Sequence, residues 1–192
     1  MTAHQATPSA RQTELLEAAY RYALSHGLAD MSLRPLASAI GSSPRVLLYL
    51  FGSKDGLVRA LVARARADEL AVLDRLHGAA SAEPLSLGVA VTEIWNWLAA
   101  EQHRPLLKLW VEAYGRSLIE PDGAWAGFAR ATVDDWMGLL ARCQPEEHRD
   151  TEDGAVQRTL ALALLRGALL DLLATGDTER VTRAVHHQAV RF

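Results

Sequence analysis

The chain has 192 residues, of which 49% are hydrophobic and 22% are charged. This composition is typical of a globular protein of one domain, or of one domain with a small appendage. The single cysteine excludes an internal disulfide framework and a zinc site built from paired cysteines. Arg166 interrupts the longest apolar stretch, so no run reaches the roughly 18 residues of a membrane span, and the N-terminus has no signal-peptide pattern. We therefore expect a soluble, cytoplasmic protein.

The charge of the chain is unevenly distributed. The formal net charge is −3, which by itself argues against a nucleic-acid-binding protein. Residues 1–66, however, contain eight Lys or Arg against four acidic residues, a local charge of +4, and the remainder carries −7. Such a split indicates that the N-terminal end binds an anion and that the rest has another role, although chance fluctuation explains it equally well.

Hydrophobic periodicity and helix-end signals predict an all-α fold of about nine helices and no sheet. The first four are predicted as a helix that ends at Gly27, a helix from Leu33 to Ile40 after the cap Ser32, a short helix after the cap Ser43, and a helix from Ser53 to Gly78. After a break rich in Pro, Ser and Gly, the others are predicted at residues 85–100, 105–118, 124–143 and 155–174, and from about 177 onwards. The acidic stretch from Pro145 to Gly154 is predicted to be a loop.

The segment from Met31 to Lys54 has the pattern of a helix-turn-helix motif. Two short helices flank the turn Gly41-Ser42-Ser43, in which glycine suits a left-handed conformation. Five residues are predicted to face inward: Leu36, Ala37, Ile40, Leu47 and Phe51. Ser43, Arg45, Val46 and Tyr49 would then face outward on the second helix, where hydroxyl and Arg donors suit phosphates and base edges in a major groove.

At these residues the chain resembles the TetR family of bacterial transcriptional regulators. The motif of that family is represented here by Gly27, Ser32, Leu36-Ala37, Gly41-Ser42-Ser43, Leu47 to Phe51, and Ser53-Lys54 with Leu57. The stretch from Leu165 to Asp177 is similar to the family's dimerisation helix. The resemblance covers residues 12–66 and, less closely, residues 159–185.

The resemblance implies a DNA-binding head at residues 1–54, a connecting helix at 55–77, and a regulatory domain at 55–192. It implies DNA contacts by Ser32, Arg34, Ser43, Arg45, Val46, Tyr49 and Lys54. The chain departs from the family pattern at Ser42, where Val is usual, and at Leu48 and Leu50, where polar or aromatic residues are usual. We therefore assign no polar DNA contact to these two leucines. From the residues alone, Arg34 and Arg45 could be solvated surface charges, and Tyr49 could pack against the first helix.

The resemblance also implies a small-molecule cavity in the middle of the chain. The candidate lining residues are Trp95, Leu98, His103, Leu106, Trp110, Tyr114, Phe128, Trp136 and Met137. Aromatic residues at helical spacing are more often part of an ordinary core than of a pocket, and His103 could simply cap a helix junction. A buried tryptophan needs a hydrogen-bond acceptor for its N–H group, so several such acceptors, or a wet cavity, are expected here.

The helix predicted at residues 155–174 is apolar nearly all round, which indicates burial on both sides. It could be a central core helix, or it could pair with its copy in a two-fold bundle, and its place near the C-terminus favours pairing. The predicted interface residues are Leu162, Leu165, Leu169, Leu173, Val181 and Val185.

The sequence lacks the phosphate-loop, zinc-protease and nucleophile-elbow motifs that would indicate an enzyme, and we expect no enzyme activity, no cofactor and no metal. The prediction is a ligand-responsive transcriptional repressor that binds a (pseudo)palindromic operator as a homodimer and is released by a small apolar or aromatic effector. Its expected partners are double-stranded operator DNA, the effector and a second copy of the chain, and no membrane. The alternative, motivated by Leu48 and Leu50, is a small-molecule-binding or scaffold protein of the same fold without operator binding.

Overall fold

The computed structural model describes residues 9–28, 31–80, 86–120 and 122–192. Within these ranges the chain forms ten α-helices, one short 3-10 helix and no strand, which confirms the all-α prediction. The helices are α1 (Ala10–His26), α2 (Leu33–Ala39), α3 (Pro44–Phe51), α4 (Lys54–Ala80), α5 (Leu87–Ala99), α6 (Arg104–Ile119), α7 (Phe128–Cys143), α8 (Glu146–Arg149), α9 (Glu152–Thr175) and α10 (Thr178–Ala189), with the 3-10 turn Glu101–His103 before α6.

Helices α1 and α3 pack against α4, and α2 packs against α1 and α3. Leu36, Ala37 and Leu47 are almost completely buried between them. Gly41 has a φ of 64° in the turn between α2 and α3, as predicted for its left-handed position. The Oγ of Ser43 accepts a hydrogen bond from the Val46 N–H at 3.3 Å and so caps α3. The local signals in the sequence therefore define the helix-turn-helix correctly.

The helix ends differ from the predictions at several places. Ser32 precedes α2 as predicted, but its hydroxyl makes no capping hydrogen bond. Helix α7 begins at Phe128 rather than near residue 124, because Gly127 is left-handed, with a φ of 75°. Helix α4 continues through Gly78 to Ala80. The break predicted after Gly78 includes residues 81–85, which lie outside the described residues.

One helix in the described part of the chain was not predicted. The acidic stretch that follows Pro145 contains the single turn α8 (Glu146–Arg149). The Arg149 guanidinium donates to the carbonyl oxygens of Ala141 and Gln144, which satisfies acceptors at the end of α7 and holds the turn against it. The next helix starts earlier than predicted because Thr151, rather than a residue near 155, caps α9.

Helix α4 joins the N-terminal helices to the remainder of the fold. Along its length it packs against α1 and α3, and then against α5, α6 and α7. Helices α5, α6, α7, α9 and α10 pack around a core that includes Trp95, whose indole N–H donates to the Thr182 hydroxyl at 2.9 Å. Among the described helices, none combines the length and the apolarity needed to cross a bilayer.

Candidate functional site

One face of α3 points away from the protein. Tyr49 is 86% exposed, so it does not pack against α2, the first helix of the motif. Arg45 is exposed on the same helix, and Val46 and Leu48 are also exposed. Ser43, the N-cap of α3, is exposed too, so all four residues named from the sequence at this helix face outward. The cap and the first two turns of α3 therefore present a hydroxyl, a guanidinium and a phenol to the solvent.

The other predicted DNA contacts surround this face. Arg34 on α2, Lys54 at the start of α4 and Ser32 are all exposed. Arg34, Arg45 and Lys54 form no ion pair with any residue that the structure describes, so their charges are available to an external anion. The end of α3 is held in place from α1, because the Gln12 side chain donates to the Leu50 carbonyl at 3.0 Å.

Helices α4, α5, α6, α7 and α9 line a cavity of about 320 Å³. This volume is at the lower end of the range for small-molecule sites. Five of the predicted residues line it: Leu98, Trp110, Tyr114, Phe128 and Trp136. The other lining residues are Glu69, Val111, Gly115, Leu118, Thr132, Leu162, Leu165, Arg166, Leu169 and Leu170. The described residues contain no cluster of His, Cys, Asp and Glu that could hold a metal ion.

The other four predicted residues are not part of the cavity lining. Trp95 is fully buried in the core beside α10. His103 stacks on Trp97, with ring centroids 4.0 Å apart, and its Nδ1 is 2.7 Å from the Trp97 carbonyl oxygen, so it belongs to the junction between α5 and α6. Leu106 and Met137 are partly buried against the hydrophobic core.

A buried carboxyl group lies in the wall of the cavity. Glu69, on α4, is 1% exposed. Its Oε1 accepts a hydrogen bond from the Trp136 indole at 2.7 Å, and its Oε2 accepts one from the Thr132 hydroxyl at 3.2 Å. Burial raises the pKa of the Glu69 carboxyl, and the two hydrogen bonds only partly oppose this effect. The Asp135 carboxylate, which pairs with Arg66 at 2.7 Å, also raises the Glu69 pKa.

The raised pKa of Glu69 predicts a pH-dependent cost to stability. Between the ordinary glutamate pKa of about 4.3 and the raised native value, the native state retains a proton that the unfolded state has lost. The free energy of unfolding therefore falls as the pH rises through this window. In Glu69→Gln the amide oxygen still accepts from Trp136, and this titration is absent. We expect the thermal midpoint of the variant, relative to the wild type, to increase between about pH 4 and about pH 8.

Thermal unfolding across this pH range measures the effect. The matched control is Glu147→Gln, at an exposed position on α8, which should follow the wild-type curve. If the thermal midpoints of Glu69→Gln and the wild type change with pH in parallel, the Glu69 carboxyl has the same pKa in the folded and unfolded chain.

Side chains around the cavity also hold the helices that lead to the head. The Trp110 indole donates to the Ala65 carbonyl of α4 at 3.3 Å. On α6, between the cavity residues Val111 and Tyr114, Glu112 accepts a hydrogen bond from the Leu28 N–H on both carboxylate oxygens, at 2.9 and 3.0 Å. Leu28 follows the end of α1, so α4 and α6 each connect the cavity wall to the N-terminal helices.

Helix α9 has an apolar face that the chain leaves exposed. Leu160 and Leu170 are 52% and 53% exposed, and with Val156, Ala163, Gly167 and Ala174 they form a stripe at alternating spacings of four and three residues. This spacing is typical of a helix–helix seam. We call these six residues the α9 stripe.

The interface residues predicted from the sequence lie on other faces. Leu162 and Leu165 are buried and line the cavity, as does the half-buried Leu169. Val181 and Val185 are buried on α10, which packs against α5 and α9. Leu173 is partly buried against the core. These side chains have little apolar surface left for a second chain, because the chain's own helices already cover them.

The sequence contained signals for two cavity residues that the prediction missed. Glu69 occupies a position in the buried stripe of α4 that includes Leu61, Ala65 and Val72, and a carboxylate at a core position is rare without a partner. Arg166 is one of only two charged residues between Thr159 and Gly176. Each is a lone ionisable group in an apolar pattern, which marks it for a specific role.

The comparisons with known proteins agree with this architecture. Residues 15–61 match the family model described as bacterial regulatory proteins, tetR family. The chain is 29% identical over 111 residues to the HTH-type transcriptional regulator BetI of Paraburkholderia phytofirmans (strain DSM 17436 / LMG 22146 / PsJN), a match that covers 58% of this chain and 56% of the relative. The chain thus matches little more than half the length of this curated relative.

Solved structures share the fold over nearly the whole chain. A transcriptional regulator from Rhodococcus sp. Rha1 superposes with a TM-score of 0.75 at 19% identity, covering 94% of both chains. The multidrug binding protein EbrR, in a structure complexed with proflavin, superposes with a TM-score of 0.66 at 25% identity, covering 92% of this chain and 98% of that one. The helix-turn-helix at residues 15–61 is thus similar to that of the tetR family of bacterial regulatory proteins, and the chain as a whole shares its all-α fold with these solved structures.

Proposed function

We propose that the protein is a cytoplasmic, ligand-responsive repressor that binds a (pseudo)palindromic operator as a homodimer and is released by a small effector. The observation that carries this proposal is the exposed face of α3, where Arg45 and Tyr49 project from a capped helix that follows a left-handed glycine turn. A helix presented in this way fits the major groove of DNA.

On this proposal, the exposed groups divide between phosphates and bases. Arg45 lies in the first turn of α3, where side chains of a recognition helix reach base edges. Lys54, Arg34 and the Tyr49 hydroxyl lie around it and would bind phosphates. Leu48 is 40% exposed, and an apolar side chain at this place would contact a thymine methyl group rather than a phosphate.

The homodimer would form through the α9 stripe. The stripe contains no charged residue, and its alternation of leucine with alanine and glycine allows close approach of a second helix. A two-fold axis along this face would bring two heads to one side of the dimer. Two heads at a fixed spacing recognise two half-sites, which is why a palindromic operator is expected.

The effector would act through helices α4 and α6. A ligand in the cavity contacts Trp110 and Trp136, and these indoles hold the α4 groups Ala65 and Glu69. It also contacts α6 on either side of Glu112, which holds Leu28 at the end of α1. If the ligand binds better to a head spacing that does not fit the operator, DNA affinity falls when the ligand binds. The proflavin complex of the neighbour EbrR supports a cavity of this kind as an effector site.

The proposal is tested by binding of the full chain to DNA from beside its own gene, measured by fluorescence anisotropy across a salt series. A scrambled duplex of equal length is the control. We expect preferential binding to the natural duplex, with log affinity falling by about 0.9 per phosphate neutralised per log unit of salt. Equal, weak binding to both duplexes would contradict operator recognition and favour the alternative, a small-molecule-binding protein of the same fold.

Replacing Arg45 separates base recognition from general attraction to DNA. Arg45→Ala is expected to weaken binding to the natural duplex by about 1–3 kcal/mol while leaving binding to the scrambled duplex nearly unchanged. Arg130→Ala, at an Arg whose side chain is 83% exposed on α7, is the matched control and should leave both affinities unchanged. An equal loss on the two duplexes would make Arg45 a phosphate contact.

A further inference from the structure

One polar group of the cavity wall has a hydrogen-bond donor without an acceptor. Arg166, on α9, lines the cavity, and its Nη1 donates to the Tyr114 hydroxyl at 3.2 Å. The guanidinium carbon lies 4.9 Å from the centre of the Tyr114 ring. The Nη2 atom of Arg166 is buried and has no hydrogen-bond partner among the described residues. A buried donor of a charged group is costly to leave unpaired. Because Nη2 has almost no accessible surface, an acceptor in the cavity reaches it when the Arg166 side chain turns towards the cavity.

The other ionisable group of the wall is already supplied with donors. Glu69 receives one hydrogen bond on each carboxylate oxygen, from Trp136 and from Thr132. The described carboxylates also form no ion pair with Arg166. What the cavity lacks is therefore an acceptor for the guanidinium rather than a donor for the carboxyl group.

We infer that the effector is a compact organic carboxylate whose acid group pairs with the Arg166 guanidinium. This inference rests on the proposed function of the cavity as an effector site. The apolar body of the ligand would lie against Trp110, Phe128 and Trp136, which line the same space. Arginine is well suited to the acid group because its planar donors match the two oxygens of a carboxylate. A cationic ligand would instead meet a guanidinium that already occupies one face of the Tyr114 ring.

The cavity is accessible to such a ligand from the surface. Leu118, near the end of α6, lines the cavity and is 65% exposed. The apolar rings bury the hydrophobic part of an entering acid. Pairing with Arg166 then compensates the loss of water around its charged end, as a buried charge requires.

Three naphthalene probes that differ mainly in charge test this inference. Binding of 1-naphthoate, 1-naphthamide and 1-naphthylmethylammonium to the full chain is followed through tryptophan fluorescence, since Trp110 and Trp136 line the cavity. We expect 1-naphthoate to bind at least about tenfold more tightly than the amide, as a charge-assisted hydrogen bond would give, and the ammonium compound to bind most weakly.

Variants of Arg166 assign the preference to the guanidinium. In Arg166→Met the naphthoate should lose its advantage while the amide keeps its affinity to within about threefold, and Arg166→Lys should retain part of the advantage because it keeps the charge. Arg130→Met, at an exposed position on α7, is the matched control and should bind all three probes like the wild type. Circular dichroism melting verifies that each variant is folded. If Arg166→Met does not fold, Arg166→Lys is compared with the wild type instead.

The possible failures have different meanings. Equal binding of the acid and the amide to the wild type would overturn the carboxylate inference and leave the effector cavity in place. Tighter binding of the ammonium compound would overturn it in favour of Glu69 as the anchor. Failure of all three probes to bind at about millimolar concentration, weaker than any useful small-molecule site, would overturn both the inference and the effector role of the cavity. The operator assay described above tests DNA binding, and its result does not depend on these three outcomes.

Discussion

Leu160→Arg is expected to convert the proposed homodimer into a monomer and to lower operator affinity by about a thousandfold, towards non-specific binding. Leu160 is 52% exposed in the single chain, so the new charge remains in water when the chain is alone. In a dimer formed through the α9 stripe, the same charge would be buried against its own copy without a partner, which is strongly unfavourable. The variant should therefore fold normally and fail only in association.

Sedimentation equilibrium and anisotropy on the natural duplex measure these two effects. The matched control is Val89→Arg, an exposed apolar position on α5 that lies outside the stripe and should remain dimeric. A Leu160→Arg protein that still sediments at twice the chain mass would exclude the α9 stripe as the interface. Leu169→Arg would be a poorer test, because Leu169 lines the cavity and its loss would disturb the effector site as well.

The helix-turn-helix could be predicted from the sequence because its signals are local. Gly41 and Ser43 act within three residues of their own positions, through a left-handed turn and a side-chain cap. The exposure of Arg45 and Tyr49 follows once the inward positions of an eight-residue helix are known. No knowledge of the rest of the chain is needed for these steps.

The faces of α9 could not be assigned in the same way. Hydrophobic periodicity identifies the buried side of a helix by its contrast with the polar side. Helix α9 has almost no polar side. Leu162, Leu165 and Leu169 line a cavity in their own chain and Leu160 is exposed, while Leu170 both lines the cavity and is 53% exposed. The positions of α5, α6, α7 and α10, which pack against α9, decide which leucines face inward.

The cavity was incompletely predicted for a related reason. The aromatic residues Trp110, Phe128 and Trp136 stand out in the sequence, and they do line it. Glu69 and Arg166, the acidic and the basic lining residue, come from helices to which the sequence assigned connection and dimerisation. Glu69 is held in the wall by Thr132, which is 63 positions away in the sequence, and Arg166 by Tyr114, which is 52 positions away. The sequence shows each residue as a lone charge in an apolar pattern, but no local pattern shows which distant residues it contacts.

Gly56→Ala is expected to weaken operator binding by about tenfold or more and to reduce the free energy of unfolding by about 1–3 kcal/mol, the usual cost of overpacking. Gly56 is in the first turn of α4, and a Cβ there would overlap the carbonyl oxygen of Phe51, the last residue of α3. Backbone atoms cannot rotate away as a flexible side chain can. Helix α3 would therefore shift relative to α4 and present its outward face at the wrong angle.

The matched control is Gly138→Ala, in the middle of α7, where a Cβ would meet only the Arg142 guanidinium at 3.6 Å. That change should stabilise the protein slightly, because alanine favours a helix by up to about 1 kcal/mol over glycine, and it should leave DNA binding unchanged.

Thermal unfolding and operator anisotropy are measured on both variants, together with 1-naphthoate binding. Because the cavity lies beyond the first turns of α4, Gly56→Ala should still bind the probe as the wild type does. If Gly56→Ala binds the operator as tightly as the wild type, close packing of α3 on α4 is not required for DNA binding. If the variant loses operator binding and probe binding together, the cause is general unfolding rather than displacement of α3.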